Sequence, residues 1–135
     1  MLKYDCLVLV KQYRPPMKCF TLEFPAGLID PSESAETCGI RELKEETGYT
    51  GSAKHTSPAT CMDPGFGSAT CHLITAEIDG DLDCNIHPKA NPEESEFIEV
   101  LCIPMDELLE KLNYYSKEGL IVNSMVYSYA IAKEQ

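Results

Sequence analysis

Three glutamates at positions 42, 45 and 46 are spaced so that a helix gathers them on one face. In an isolated helix, like-charge pairs at this spacing cost a few tenths of a kcal/mol each, and divalent cations among the oxygens offset that repulsion. Carboxylate ligands without His or Cys suit Mg²⁺ or Mn²⁺ better than zinc. The spacing therefore indicates a divalent metal site, and the alternative is a solvated, Glu-rich helix face.

Arg41 directly precedes these acids, and an arginine there can hold a carboxylate through two parallel hydrogen bonds. Glu33, just before the helix, is the candidate partner. Gly27 lies where a strand gives way to a loop, at a point where we expect a β-carbon to be a hindrance. The segment thus combines metal ligands, a cation that orders them and a tight turn.

The helix that must carry the acids is predicted over residues 34–47. Ser34 is a suitable N-cap, Glu36 suits the positive end of the helix dipole, and Gly48 is a natural C-terminal stop. Two strands are predicted before it, at 5–14 and 19–24, joined by the Pro15-Pro16 turn. The metal-binding helix therefore follows a hairpin.

The rest of the chain alternates between extended and helical patterns. Two extended stretches, 52–62 and 68–79, are split by the turn signal at 63–67, and 80–95 is predicted to be a long loop. A strand is predicted at 96–103 and helices at 105–113 and 121–133. We therefore predict one α/β domain over 1–135, with a mixed β-sheet sandwiched between helices.

Charge, hydropathy and cysteine usage exclude several protein classes. The net charge of −11 argues against nucleic-acid binding, but an anionic substrate remains possible if cations lie between the charges. No run of eighteen apolar residues is present, so we expect no membrane partner, and the first fourteen residues are interpreted as a strand rather than a signal peptide. The odd count of seven cysteines without a CxxC pair predicts free, mostly buried thiols in a reducing compartment, the cytoplasm or the nucleus.

Read as one string, residues 27–49 match G-x5-E-x7-R-E-U-x-E-E-x-G-U at every position, where U is apolar or aromatic. At average residue usage, a chance match in this length is rarer than about one in a million. On this motif the chain resembles the Nudix hydrolases. It is similar to their ADP-sugar (ADP-ribose) pyrophosphatase branch in five further segments: VKQYRPP, LEFPAGLID, SPATCMDPG, SEFIEV and VYSYAIA.

The resemblance implies Mg²⁺-dependent cleavage of ADP-sugars, giving AMP and ribose 5-phosphate from ADP-ribose. In that family the metal is held by residues matching Glu42 and Glu46, with Glu45 alongside, by the backbone carbonyl matching Ala26 and by a late-loop acid matching Glu96. A carboxylate must take a proton as water attacks phosphorus. Glu96 is the first candidate for this base and Glu45 the second.

Substrate contacts are expected from four further residues. Arg14, in the RPP segment, would meet a phosphate or the terminal ribose; the alternative is a surface arginine beside a turn. Leu28 would offer an apolar contact. Met62 and Asp63 would line the pocket, or else form an ordinary hairpin tip.

Two departures from the family pattern keep alternatives open. Gly39 stands inside the helix, where the family tends to have Ala, at a cost of about 1 kcal/mol in helix propensity. The N-terminal segment that gives the family its homodimer and its adenine-stacking aromatics is expected to be absent here, so dimerisation stays open. Alternative functions are hydrolysis of another nucleoside diphosphate derivative, such as an oxidised nucleoside diphosphate or NADH, and non-catalytic nucleotide binding.

Overall fold

The hairpin predicted at the start of the chain forms strands β1 (Cys6–Arg14) and β2 (Cys19–Glu23). In this computed structural model, which describes residues 5–91 and 97–135, the chain divides into two units. One contains the described residues up to Pro25 and from Asn91 onward, and the other is Ala26–Ala90. The one-domain prediction is not tested by this division.

The first unit is built on a four-stranded sheet in the order β7-β1-β2-β8. Strand β7 (Ile98–Pro104) and β2 both pair antiparallel with β1, whereas β8 (Ile121–Val122) runs parallel to β2. The predicted mixed sheet is therefore confirmed. A 3₁₀ turn (Met105–Glu107) leads into helix α3 (Leu108–Lys117), and α4 (Ser124–Glu134) follows β8.

Helices α3 and α4 cover one face of this sheet. The core joins three strand residues to four helix residues, all at most 3% exposed: Leu9, Leu22, Ile103, Leu108, Leu112, Val126 and Ala130. Burying one such leucine stabilises the fold by about 1.5–3 kcal/mol relative to leaving it exposed. This packing fixes β1 and β2, and with them the side chains on the opposite face of the hairpin.

The second unit is organised by helix α1 (Ala35–Thr47), and its predicted caps are confirmed. The Ser34 hydroxyl accepts from the Thr37 N–H at 3.1 Å, and the Gly48 N–H donates to the Lys44 carbonyl at 2.8 Å. Gly48 has a φ of 81°, and a β-carbon there would meet the backbone of Pro88 and Lys89. Glycine is thus required both by the left-handed backbone and by the close approach.

Both predicted extended stretches break into short strands. The four strands form two antiparallel pairs, β3 with β6 and β4 with β5: β3 (Ser52–Thr56), β4 (Thr60–Cys61), β5 (Thr70–Cys71) and β6 (Ile74–Glu77). Between the pairs, the Ser57 hydroxyl accepts from the Leu73 N–H at 2.8 Å and Pro58 has no N–H to offer. Continuous pairing therefore stops there.

Two predictions about the remaining segments are corrected. Residues 121–122, predicted to begin a helix, form β8 because two β-branched residues pair with β2 before Asn123 caps α4. The predicted loop at 80–95 contains a short helix, α2 (Asp83–Ile86), and residues 92–96 lie outside the described part.

The seven cysteines are free, but Cys38 alone is buried, so the expectation of mostly buried thiols is wrong.

Among the residues that the structure describes, no helix combines the length and apolar character needed to cross a bilayer.

Candidate active site

Helix α1 carries the acidic face predicted from the sequence, and Arg41 is its centre. The guanidinium donates from Nε to Glu33 Oε2 at 2.7 Å and from Nη2 to Glu33 Oε1 at 2.9 Å. The predicted pairing of Arg41 with Glu33 is therefore confirmed as a two-point contact. Glu33 also accepts from the Asp30 N–H at 3.0 Å, which ties the loop before the helix to the same carboxylate.

This pairing shifts both proton equilibria in the direction expected for an ion pair. The hydrogen bonds from Arg41, assisted by the Asp30 N–H, lower the pKa of Glu33 to about 2. The same contact raises the pKa of Arg41 above its ordinary value. Both groups are thus charged throughout the physiological range.

Arg41 also reaches the acids of the next turn. Its Nη1 donates to Glu42 Oε1 at 2.9 Å and to Glu45 Oε2 at 3.2 Å, while Nη2 donates to the Leu28 carbonyl at 3.1 Å. Its Nη2 also lies 3.5 Å from Asp30 Oδ2, so one cation offsets four carboxylates and fastens the loop at Leu28 to the helix. The repulsion expected among the glutamates is balanced in this way.

Glu46 is 3% exposed and faces the backbone of the preceding loop. Its Oε2 accepts from the Ala26 N–H at 3.2 Å. The neighbouring Gly27 lies against Glu42 so closely that a β-carbon would overlap that carboxylate. Gly27 is not at positive φ, so the predicted hindrance comes from this approach and not from backbone conformation.

These donors fit a hard divalent ion by their chemistry. Glu42 and Glu46 offer carboxylate oxygens beside the loop backbone, and Glu42 can lie against Gly27 only because that residue has no β-carbon. Within residues 5–91 and 97–135, no group of three acidic, His or Cys side chains is arranged to hold a metal ion in this conformation, in which Arg41 draws Glu42 and Glu45 to its own Nη1.

The remaining predicted site residues lie elsewhere. Glu96 falls outside the described residues. Arg14 belongs to the first unit, where it pairs with Glu23. Leu28 has an exposed side chain, and its carbonyl is held by Arg41. Met62 and Asp63 stand in the exposed β4–β5 connection, where the Asp63 carbonyl accepts from the N–H groups of the turn.

Two participants were missed by the sequence interpretation. Cys38 is buried within α1; its thiol lies 3.5 Å from the Leu28 carbonyl oxygen, and Arg41 Nη2 lies 3.7 Å from its sulfur. Burial, followed by the nearby Glu33 charge, raises the pKa of Cys38, so the thiol stays protonated. Its position three residues before Arg41 on one helix face was an available signal. Glu23 is the second, through its contact with Arg14.

The protein-family model of the NUDIX domain matches residues 3–121 of this sequence, and the chain therefore belongs to the Nudix family. It is 47% identical over 132 residues to the mouse "ADP-sugar pyrophosphatase", covering 97% of this chain and 61% of the relative. It is 38% identical over 128 residues to the "ADP-ribose pyrophosphatase" of Saccharomyces cerevisiae, covering 95% of this chain and 55% of the relative.

A solved structure titled "Crystal structure of ADP compounds hydrolase" resembles the chain with a TM-score of 0.59 and 28% identity, over 82% of this chain and 57% of that one. The mixed α/β Nudix fold is thereby confirmed. The chain spans 61% and 55% of the length of the two curated relatives, so this likeness concerns the Nudix domain.

Proposed function

We propose that this chain hydrolyses the pyrophosphate bond of ADP-sugars, converting ADP-ribose and water to AMP and ribose 5-phosphate. The observation that carries the proposal is the complete acidic motif on α1, ordered by Arg41 and joined to the Ala26 loop through Glu46. The substrate class is supported by the names of the mouse and yeast relatives, whose matched regions cover nearly all of this chain.

Mg²⁺ is the proposed cofactor, with Mn²⁺ as the substitute, held by Glu42, Glu46, Glu96 and the Ala26 carbonyl. A bound divalent ion supplies positive charge against the pyrophosphate oxygens. Glu46 is suited to the role because the Ala26 N–H already fixes its carboxylate next to the loop backbone. Arg41 keeps Glu42 and Glu45 in orientation through its Nη1.

The protein's part in the proton transfer is assigned to a carboxylate oxygen. Glu96 is the first candidate to accept the proton of the attacking water, and Glu45 is the second. Arg41 Nη1 donates to Glu45 Oε2 at 3.2 Å, which orients the Glu45 carboxylate. Comparing the pH–rate profiles of E96Q and E45Q separates the two, because loss of the base removes the acidic limb of the profile.

Arg14, Leu28, Met62 and Asp63 are proposed to contact the nucleoside diphosphate sugar. Cytoplasmic location and a homodimer, the state expected from the family resemblance, belong to the same proposal. Sedimentation of the purified chain at several concentrations tests the dimer: a mass that remains that of one chain contradicts it.

The test of function is product analysis on a substrate panel: ADP-ribose, ADP-glucose, NADH and an oxidised nucleoside diphosphate, each with Mg²⁺ and with EDTA. We expect equimolar AMP and ribose 5-phosphate from ADP-ribose, with activity lost in EDTA and restored by Mg²⁺. Faster turnover of NADH or of the oxidised nucleotide overturns the substrate assignment. Absence of hydrolysis of all four at high protein concentration favours a binding module.

A further inference from the structure

Arg14 lies on the wall of an open cavity of about 290 Å³ in the first unit. Thr21 and Glu23 of β2 also line this cavity, as do Asn123 and Ser124 at the start of α4. The cavity mixes one cation, one anion and several neutral oxygens with apolar side chains. A surface of this kind suits a polar ligand with both anionic and hydroxyl groups.

The Arg14 guanidinium, which lines this cavity, is held in one orientation by Glu23. Its Nε donates to Glu23 Oε2 at 2.8 Å and its Nη2 donates to Glu23 Oε1 at 3.2 Å. Such a side-on pair fixes both the plane and the direction of the guanidinium. Because the five donors form a rigid fork, holding one edge sets where the other donors of Arg14 point.

Glu23 is in turn held by a buried neighbour. The Thr21 hydroxyl, in a residue only 7% exposed, lies 2.6 Å from Glu23 Oε2 and 3.3 Å from the Gln12 carbonyl oxygen. Its one hydrogen belongs to the shorter, charge-assisted contact. Burial alone would raise the pKa of Glu23, but the hydrogen bonds from Arg14 and Thr21 outweigh it and hold that pKa below its ordinary value.

We propose that Glu23, locked by Thr21, is a positioning residue that aims Arg14 at the phosphate or sugar oxygens of the substrate. This inference rests on the proposed function, in which Arg14 meets that part of an ADP-sugar. An unrestrained arginine would lose side-chain conformational entropy each time it bound substrate. Because Glu23 already holds Arg14 in one orientation, most of that entropy is lost on folding and not on binding. Removing Glu23 should therefore weaken substrate binding without altering the chemistry at phosphorus.

The experiment compares E23Q, R14A and the double variant in Mg²⁺-dependent hydrolysis of ADP-ribose. For E23Q we expect KM to rise roughly 10-fold with kcat little changed, the scale of losses when an orienting neighbour is removed. If Glu23 acts through Arg14, adding E23Q to R14A changes KM no further. Equal effects of E23Q with and without Arg14 overturn the inference, as does an unchanged KM.

Two control comparisons separate positioning from stability. Glu99 of β7 pairs at 3.7 Å with Lys11 of β1, the strand that also carries Arg14, and E99Q should leave KM unchanged. T21S keeps the hydroxyl and should retain the wild-type KM, whereas the nearly isosteric T21V should move KM in the direction of E23Q. A fall in melting temperature for E23Q or T21V with an unaltered KM assigns these residues a structural role and contradicts the proposal.

Binding measurements keep this inference separate from the proposed function. Calorimetric titration with ADP-ribose and with ADP, both in EDTA, needs no hydrolysis. If the wild type binds ADP-ribose in EDTA but does not cleave it when Mg²⁺ is supplied, the proposed function fails, and a roughly 10-fold weaker Kd for E23Q still supports positioning. If E23Q weakens the affinity for ADP and for ADP-ribose alike, Arg14 contacts phosphate. If E23Q weakens the affinity for ADP-ribose alone, Arg14 contacts the terminal sugar. Equal Kd values for wild type and R14A, or absence of wild-type binding, overturn the positioning role.

Discussion

The backbone N–H of Ala26 donates to the carboxylate of Glu46 at 3.2 Å, across twenty positions of sequence. This bond joins the loop before α1 to the last turn of the helix at a side chain that is 3% exposed. The loop and helix therefore meet at the carboxylate proposed to hold metal. A glutamine at position 46 can still accept from Ala26, so it removes the negative charge while keeping the contact.

We predict that Mg²⁺ raises the melting temperature of the wild type and that Glu46→Gln abolishes most of this rise. At a Mg²⁺ concentration of 100 times Kd, binding stabilises the folded state by about 2.7 kcal/mol, or roughly 10 °C in a chain of this size. We expect loss of the carboxylate to weaken Mg²⁺ binding by about 100-fold, which leaves only roughly 0.4 kcal/mol of this stabilisation. Thermal melts with Mg²⁺ and with EDTA measure both effects without substrate.

The control for this prediction is Glu36→Gln. Glu36 is exposed in the first turn of α1, and the substitution changes the net charge by the same amount. It should retain the full Mg²⁺-dependent rise. A Mg²⁺ response of Glu46→Gln equal to that of the wild type would remove Glu46 from the proposed ligands.

The Glu33–Arg41 pair predicts a defined acid dependence of stability. The folded-state pKa of Glu33 is about 2, below its ordinary value of 4.5, so the folded protein releases this proton more readily than the unfolded chain. The stabilisation is therefore fully present above about pH 4.5 and is lost as pH falls toward 2. We expect Glu33→Gln to be less stable than the wild type at pH 7, with the difference closing between pH 4.5 and 2 in urea unfolding.

The pH dependence of the stability that Glu33 contributes should vanish when Arg41 is replaced. In an Arg41→Gln background, the further change Glu33→Gln should produce a much smaller difference between pH 7 and pH 3, because the hydrogen bonds that depress the pKa of Glu33 are gone. A stability difference that stays constant from pH 7 to pH 2 in the wild-type background contradicts the assignment.

Local signals made the helix and the first hairpin predictable from the sequence. Ser34 and Gly48 mark the ends of α1 by the chemistry of their own side chains and backbone, and the structure places both caps at those positions. The pairing of Arg41 with Glu33 could be predicted for the same reason. Because Ser34 caps the helix, Glu33 directly before it must lie near the first turns of α1. Local preferences of this kind, which act within one turn or one loop, agree with the folded structure and can therefore be predicted from the sequence.

The contact between Arg14 and Glu23 was hidden because it does not follow the strand register. Arg14 faces Cys19 across the hairpin, whereas Glu23 faces Val10. The two charges meet only because the Arg14 side chain extends along β2 past Thr21, on the face those residues share. Similarly, the parallel pairing of Ile121 and Val122 with β2 depends on a distant strand, which the helical pattern around position 126 obscured.

Gly39 is predicted to be required by packing within the second unit. A β-carbon at this position would lie 2.8 Å from Cγ1 and 3.1 Å from Cβ of Ile74 on β6. Gly39→Ala gains up to about 1 kcal/mol of helix propensity, but overpacking of this kind costs about 1–3 kcal/mol. We expect a net loss of roughly 1 kcal/mol in the free energy of unfolding, measured in urea.

Shortening the neighbour should reverse the sign. In an Ile74→Gly background, the three side-chain atoms nearest to the new methyl group are gone, so Gly39→Ala should stabilise by up to about 1 kcal/mol. A Gly39→Ala variant more stable than the wild type with Ile74 intact shows that α1 can shift from β6 at little cost, which contradicts the packing explanation.

Asn85 secures the loop around α2 to the segment that follows α1. It is 4% exposed; its Oδ1 accepts from the Thr50 N–H at 2.8 Å, and its Nδ2 donates to the carbonyls of Thr50 and Asp79 at 3.0 and 2.8 Å. Asn85→Ala leaves these backbone groups without the amide and should cost about 1–3 kcal/mol in urea unfolding. Asn85→Asp should cost more, because a carboxylate would face two carbonyl oxygens, whereas exposed Asn91→Ala serves as the control. If Asn85→Asp proves as stable as the wild type, the donor contacts from Nδ2 do not hold the loop.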